Sequence, residues 1–414
     1  MLIMGLEDEY AEALKYVEKI DFTTSAWESK GFETNIRYLG GLLSANDLRA
    51  NDVLVKKAVE LIENALLPLF DSPSKAPYTY MDLNRKRAKR TSSINLAEFG
   101  TYNLEFTRLS QITGNATYAK YANDLVDRAI SEPTVLPGLF PTSWTTDTFK
   151  PINSSYITIA GGGDSFYEYL IKNYILLGGS DPKLLSTWKQ SVESIEKYLL
   201  TSTAENPRIK FVGMIDGQGQ PVYVSQELIC FWPGNILLGI SQMSGNTDRY
   251  RQFADTFMAS CHETWASTTT GIAPESWQWN PLPNTTDTKK TRKNAKASKR
   301  AFTASDAIYD LRPETLESLF YYYRVTGSRT YQDTAWEYFQ AINKYTRTPS
   351  GFTRITDVDS ENPQQDNFQE SFFLAETLKY LYLIFVDKDC ISLNDYVFNT
   401  EAHPFKLNTP INVQ

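Results

Sequence analysis

Histidine is the scarcest reactive side chain in this 414-residue sequence: there are two, His262 and His403. A three-histidine metal site is therefore impossible. Neither histidine stands in an H-E-x-x-H frame, so a catalytic zinc would have to draw on His and Cys residues far apart in the chain. Cysteine is nearly as rare. Cys230, Cys261 and Cys390 are too few for a disulfide framework, although one bridge and one thiol fit a secretory compartment. No apolar run approaches the ~18 residues of a bilayer span, and Met1 leads straight into patterned sequence without a charged n-region or cleavage site. A G-x-S-x-G elbow, a P-loop and a strand-borne G-x-G-x-x-G are all missing. Positive charge is also in deficit: 41 Lys and Arg against 49 Asp and Glu give a net charge of -8, so nothing general draws the chain to nucleic acid. The one basic stripe, from Lys289 to Arg300, is interleaved with Thr, Asn, Ala and Ser. It reads as a solvated loop within an insertion near 284–303.

What is present is helix. Hydrophobic residues at 42% and charged residues at 22% suit a globular chain with a large core. Phe32, Ile36, Leu39 and Leu43 share one helical face, and Leu319, Phe320 and Tyr323, with Ala335 and Phe339 in the next segment, continue the pattern. A unit recurs in which an apolar helix ends at Gly and another begins near a Tyr. Gln111-Ile-Thr-Gly-Asn-Ala-Thr-Tyr118 matches Arg324-Val-Thr-Gly-Ser-Arg-Thr-Tyr331, with looser copies at Met243–Tyr250 and Leu176–Pro182. Gly where a helix end wants a left-handed residue, then a short polar turn, predicts αα-hairpins. Their repetition predicts stacking into a closed toroid or an open solenoid. Strand content is expected only in short hairpins, best at Lys210–Gly213 with Pro221–Val224. Sequons at Asn115, Asn153 and Asn284 lie beside turn-forming or polar sequence.

With metals and nucleophile elbows set aside, carboxylates remain as the candidates for catalysis. Glu33 and Arg37 are i,i+4 partners beside an apolar stripe, a spacing that serves a plain helix salt bridge or charges meeting at the core edge. Asp164 follows Gly161-Gly-Gly163, where it is open to an N-cap reading, with Ser165 and Glu168 as a competing capping box. Arg312-Pro-Glu314 puts Pro313 at a first helical position and Glu314 in the first turn, where the macrodipole favours its ionised form and suits a base. Carboxylates in environments that push their pKa values apart are what glycoside hydrolysis needs.

At these residues the sequence resembles glycoside hydrolase family 47, the class I α-mannosidases. The match runs from Met4-Gly-Leu-Glu-Asp-Glu-Tyr10 to Asn399-Thr-Glu-Ala-His-Pro-Phe405, through Phe32–Leu43, Gly163–Leu170, Leu311–Ser318 and Ser371–Tyr380. The resemblance implies an all-α (α/α)7 barrel filling residues 1–414 as a single catalytic domain. It also implies an inverting hydrolase that removes terminal α-1,2-linked mannose from high-mannose N-glycans. Carried over, Glu33 is the general acid, direct or through water, Glu314 the base that activates water, and Asp164 a third carboxylate. An inverting pair stands roughly 6.5–9.5 Å apart. Arg312, Phe372, Glu376 and Glu401 resemble the residues that hold the terminal mannose, and Arg37, Gly162, Glu168, Glu227 and Glu317 join them as substrate-site residues. Thr400 resembles the family's calcium ligand, giving its carbonyl and hydroxyl oxygens, with Glu317 and Glu376 near enough in kind to hold the waters. Cys230 and Cys261 align with the family's disulfide.

Two departures stand out. Glu227-Leu-Ile-Cys-Phe231 replaces the family's pocket-lining His with a carboxylate. The family also has a segment ahead of Met4 with a first barrel helix and a signal or anchor, so the expectation is a truncated chain or a barrel short of one helix. Gly162 stands where the endoplasmic-reticulum branch carries an Arg, which implies trimming of several glycan branches as in the Golgi and secreted fungal members. The resemblance further implies a monomer in the secretory pathway or outside the cell, touching membrane only through that upstream segment. Its rivals are a mannosidase-like glycan-binding quality-control factor with little turnover, and a helical-repeat protein-binding scaffold.

Overall fold

The computed structural model describes residues 1–283 and 300–413. The Asn284 sequon and the basic stripe up to Lys299 lie outside them. The chain divides into two compact units, Met1–Ser191 with Asp387–Val413, and Val192–Val386.

In the first unit, helix Asn103–Thr113 ends at Gly114 with φ 72°, and the Gly114 N–H closes onto the Ser110 carbonyl. Asn115 then caps Ala116–Ile130 by accepting from the Thr117 N–H, and the two helices pack together. This is the hairpin that the Gly-then-Tyr unit predicts: only a residue indifferent to positive φ ends the helix cleanly there. Gly40–Leu48 with Asp52–Leu61 forms another pair. Helix Asp164–Leu176 follows the Gly-rich turn and is buried along nearly its whole length. A hairpin of Tyr396–Phe398 with Pro404–Lys406 returns the C-terminal segment to this unit and packs on Gly40–Leu48. Asn115 and Asn153 are both exposed.

The second unit repeats the theme. Glu314–Thr326 ends at Gly327 with φ 68° and packs on Arg329–Thr346, while Trp232–Ile240 packs on Asp248–Ala266. Leu319, Phe320 and Ala335 are buried as the periodicity predicts. Gly234 allows helix Trp232–Ile240 to approach its neighbour: a Cβ there would lie 2.6 Å from Tyr321 Cδ2 and 3.1 Å from Ser318 Cα. The disulfide Cys230–Cys261 is formed, with Cα atoms 5.9 Å apart, and Cys390 takes no part in one.

The expected strand pairing of Lys210–Gly213 with Pro221–Val224 is not what forms. Pro221–Val222 pairs with Met214–Ile215, and Lys210–Val212 pairs with Leu200–Ser202. The turn decides this. Asp216 Oδ1 accepts from the N–H groups of Gln218 and Gln220 and Gly219 takes φ 79°, so the chain reverses at 216–220 and pairs the residues that flank it. Val224–Gln226 instead joins Ser276–Gln278 and Thr303–Asp306 in a sheet. Among the described residues no helix is long and apolar enough to cross a membrane.

Candidate active site

In the first unit, Glu33 and Arg37 lie where a short α turn, Gly31–Glu33, passes into a π-helical turn, Thr34–Leu39. Arg37 Nε donates to Glu33 Oε2 at 2.8 Å and its Nη1 lies 2.9 Å from Glu401. One guanidinium therefore joins the sequence-predicted acid to a carboxylate that lies 364 positions beyond Arg37. Lys30 Nζ stands 3.8 Å from Glu33 and 3.3 Å from Glu98, and the Glu33 side chain is 38% exposed.

Thr400 and Glu401 sit in the five-residue connection of the Tyr396–Phe398 hairpin, and Asn399 holds that connection in shape. Its Oδ1 accepts from the N–H groups of Glu401 and His403 at 2.9 and 2.8 Å, and its Nδ2 donates to Ile36 O and Glu105 Oε1. Ala402 completes the turn at φ 55°, a left-handed conformation that costs a non-glycine residue about 1 kcal/mol or more. The Thr400 N–H donates to Tyr169 Oη, which donates in turn to Glu105 Oε1. Burial raises the Glu105 carboxyl to about 7, against the opposing hydrogen bonds of Asn399, Tyr169 and Asn35.

Asp164 is the first residue of its helix rather than the cap: Gly163 occupies the cap position and makes no side-chain cap bond. Asp164 Oδ1 accepts from Ser165 N and Oγ at 2.7 and 3.2 Å. The capping box does not form, because Glu168 is buried with Lys172 as an ion pair. Gly162 takes φ 89°, and a Cβ there would meet only Thr142 Cγ2, at 4.0 Å.

In the second unit, Arg312 organises the carboxylates. Its Nε and Nη2 donate to Glu275 at 2.7 and 2.6 Å in a fork, Nη1 lies 3.7 Å from Glu314, and the guanidinium stands 5.6 Å from the Phe372 ring centroid. Leu311, buried and at φ 62°, aims this segment, and its carbonyl accepts from Thr377 Oγ1. Pro313 is the cap residue, one place earlier than expected, and Glu314 opens the helix. Glu227 is 1% exposed, with Oε1 accepting from Thr315 N and Oγ1 at 3.3 and 2.7 Å. Glu317 and Glu376 are buried, the latter in the π-helical turn Phe373–Thr377.

The expectation that the helix start keeps Glu314 ionised is overturned. Burial, then the charge of Glu227, push its carboxyl well above the usual range, and Arg312 opposes them without prevailing. A helix dipole contributes typically 0.3–1 kcal/mol, less than desolvation beside a like charge. Burial also raises Glu275 and Asp310 against Arg312. Burial works against the charge of Arg312 as well, but Glu314, Glu275 and Glu227 hold its pKa above the ordinary value.

Sequence reasoning missed Glu275, Glu98, Glu105 and Asn399. Glu105 left one signal: a carboxylate inside the run Leu104-Glu-Phe106 has no solvent face to occupy. Glu275 left none.

The family model of glycosyl hydrolase family 47 matches residues 1–407. The chain belongs to this family. It is 36% identical over 418 residues to human mannosyl-oligosaccharide 1,2-alpha-mannosidase IC, an alignment that takes in 99% of this chain and 62% of that one. With the mannosyl-oligosaccharide alpha-1,2-mannosidase 1B of Aspergillus oryzae it shares 35% identity, across 98% of this chain and 82% of the relative. Thus it spans about three fifths of the human family 47 relative's length. The structure of alpha-1,2-mannosidase from Trichoderma reesei superposes with a TM-score of 0.90 at 34% identity, covering 98% and 88% of the two chains. The helical hairpins are therefore those of the family 47 (α/α)7 barrel fold.

Proposed function

We propose that this chain is an inverting exo-glycosidase that hydrolyses terminal α-1,2-linked mannose from high-mannose N-glycans in the secretory pathway or outside the cell. The observation that carries the reading is the joining of Glu33 to Glu401 through Arg37, in a chain that keeps Asp164 and Glu314 in the family's blocks. A glycan-binding factor with little turnover needs sugar-holding groups but not a separate acid and base, and this chain keeps both. Glu33 donates to the leaving oxygen, directly or through water, and Glu314 takes the proton of the attacking water. Glu401 holds sugar hydroxyls, as does Arg312 with Phe372 beside it. The disulfide and the two exposed sequons support a lumenal or secreted setting.

Calcium is the cofactor this reading implies. Among the described residues no three His, Cys, Asp or Glu side chains gather to hold a metal, so a cage of carboxylates is not available. Thr400 fits the alternative. It is partly exposed, neither its hydroxyl nor its carbonyl is engaged by another described residue, and both are hard oxygen donors. Bound there, calcium would supply Lewis-acid orientation of sugar hydroxyls, while Asn399 and Tyr169 fix the turn that presents the two oxygens.

Gly162 supports trimming of several branches, since its surroundings leave the space that an Arg would fill. A time course of free mannose and glycan masses from a full high-mannose substrate tests the whole reading. Successive loss of the α-1,2 mannoses is expected, with α-1,3 and α-1,6 linkages untouched, no release in excess chelator, and recovery on adding calcium. Glu314→Gln is expected to lower kcat by at least ~10²-fold. Absence of any mannose release overturns the enzyme reading; full activity in chelator removes Thr400 as a ligand; arrest after one mannose removes Gly162 as the determinant. Gly162→Arg, which costs roughly 1–2 kcal/mol of backbone strain at this φ, is expected to impose that arrest.

A further inference from the structure

Glu227 stands where the family has His, and it sets a second carboxylate beside Glu314. Its side chain and that of Glu314 lie within hydrogen-bonding reach of each other. Each nevertheless has an Oε2 atom that is buried without a partner. Two ionised carboxylates offer only acceptors, and two such groups side by side out of water repel. The arrangement is satisfied when one proton lies between them, as in acid pairs that titrate as a unit.

The surroundings say on which side that proton rests. Glu227 Oε1 accepts two hydrogen bonds from Thr315. The Thr315 hydroxyl itself accepts from Trp265 Nε1 at 3.1 Å, so its own proton is committed to Glu227. Both bonds stabilise Glu227 as the anion. Glu314 receives its own backbone N–H and a distant Arg312 nitrogen at 3.7 Å, because the guanidinium fork is taken up by Glu275. Among the described residues, the other ionisable groups around the pair include Asp310 and Tyr309 on the segment before the helix, Glu317 one turn along it, and Tyr338 with its partner His262 across from it. The Arg312 charge acts on Glu314, and among the described residues no hydrogen bond joins Arg312 to Glu227.

We propose that Glu227 and Glu314 share one proton, held mainly on Glu314, so that Glu227 sets the pH above which Glu314 becomes free to act as the base. Glu227 is thus a positioning residue for a proton rather than a group that touches the sugar. The inference rests on the reading of Glu314 as base. Its consequence is a rate profile that rises at higher pH than in a family 47 enzyme with His at this position.

The test is kcat/KM against pH for the wild type, Glu227→Gln and Glu227→His, each normalised to its own plateau, beside infrared spectra at neutral pH. The expected result is an ascending limb displaced to lower pH by at least one unit in both variants, a relative gain of tenfold or more below the wild-type limb. Infrared absorption from protonated carboxyl is expected to fall in Glu227→Gln, with the contribution of Glu105 left in place. Limbs that superimpose, or a displacement to higher pH, overturn the proposal. If none of the three proteins releases mannose at any pH, the hydrolase reading fails instead. The infrared comparison then decides the shared proton alone: a protonated-carboxyl band of equal strength in wild type and Glu227→Gln rejects it.

Discussion

The candidate-site carboxylates of the two units meet their counter-charges in opposite ways. In the first, anions are matched to cations nearly one for one: Glu33 and Glu401 with Arg37, Glu98 with Lys30, Glu168 with Lys172. In the second, Glu227, Glu275, Asp310 and Glu314 gather around Arg312, and Arg354, itself paired with Asp366, reaches Asp310 of the four. The same residue type consequently behaves differently in each. Glu33 is a partly exposed carboxylate on a guanidinium, whereas Glu314 is held protonated beyond its usual range. Local sequence does not decide this: both glutamates stand in the first turn of a helical segment with an Arg within a few residues. The count of neighbours contributed from elsewhere in the chain does.

Removing the key cation from each unit sharpens the contrast. Arg312→Met takes the cation from several carboxylates at once and is expected to cost about 3 kcal/mol or more, while Arg37→Met takes it from one buried carboxylate, Glu401, and the partly exposed Glu33 and should cost less, roughly 1–2 kcal/mol. Urea unfolding of the two variants measures both, and equal losses break the comparison. Next in size is the disulfide, which joins residues 31 positions apart in the second unit. Replacing Cys230 and Cys261 by Ala is expected to cost ~3.5 kcal/mol by loop-closure entropy. Hydrogen exchange should quicken within residues 192–386 and stay unchanged in 1–191; faster exchange throughout would refute this partition.

The most gradual effect, spread over pH, concerns Glu105, the first unit's exception to charge matching. Its folded value of about 7 lies above the 4.5 of the ordinary carboxyl. The folded state thus holds the proton more tightly, and the stability so gained is complete below about 4.5 and lost as pH rises through 7. The melting temperature should fall across that window, with a slope of up to ~1.4 kcal/mol per pH unit from this group. Glu105→Gln should flatten it. A slope identical in the variant assigns the effect elsewhere.

How much of this was legible in advance depends on the range of the interaction. Gly114 and Gly327 announced their hairpins because a helix end is a local event, and Glu33 with Arg37 was visible because both lie on adjacent turns. The Lys210 hairpin was misread although equally local, since Asp216 chose a turn that moved the pairing along the strand. The environment of Glu314 was not legible. Its controlling neighbours, Glu227 and Glu275, lie 87 and 39 positions away in sequence, and first-turn logic knows nothing of them. Asn399 was quoted within a block yet given no task, because its four bonds reach Ile36, Glu105 and its own turn.

A π-helical turn adjoins each carboxylate cluster: Thr34–Leu39 carries Arg37, and Phe373–Thr377 is tied to the Arg312 segment through Thr377 Oγ1 on the Leu311 carbonyl. Such a turn is an α-helix with one residue more than its hydrogen bonding needs, frequently kept where a side chain has to be re-aimed. Deleting one residue from Thr34–Leu39 would give back a regular helix with better backbone bonds. It would also rotate the helix beyond the deletion by roughly 100° relative to the turn before it, swinging Arg37 off its line to Glu401. The length of these two segments is therefore as much under constraint as their composition. Among relatives, gaps and insertions should collect in the connections between hairpins and stay out of these turns, even where the residues within them vary.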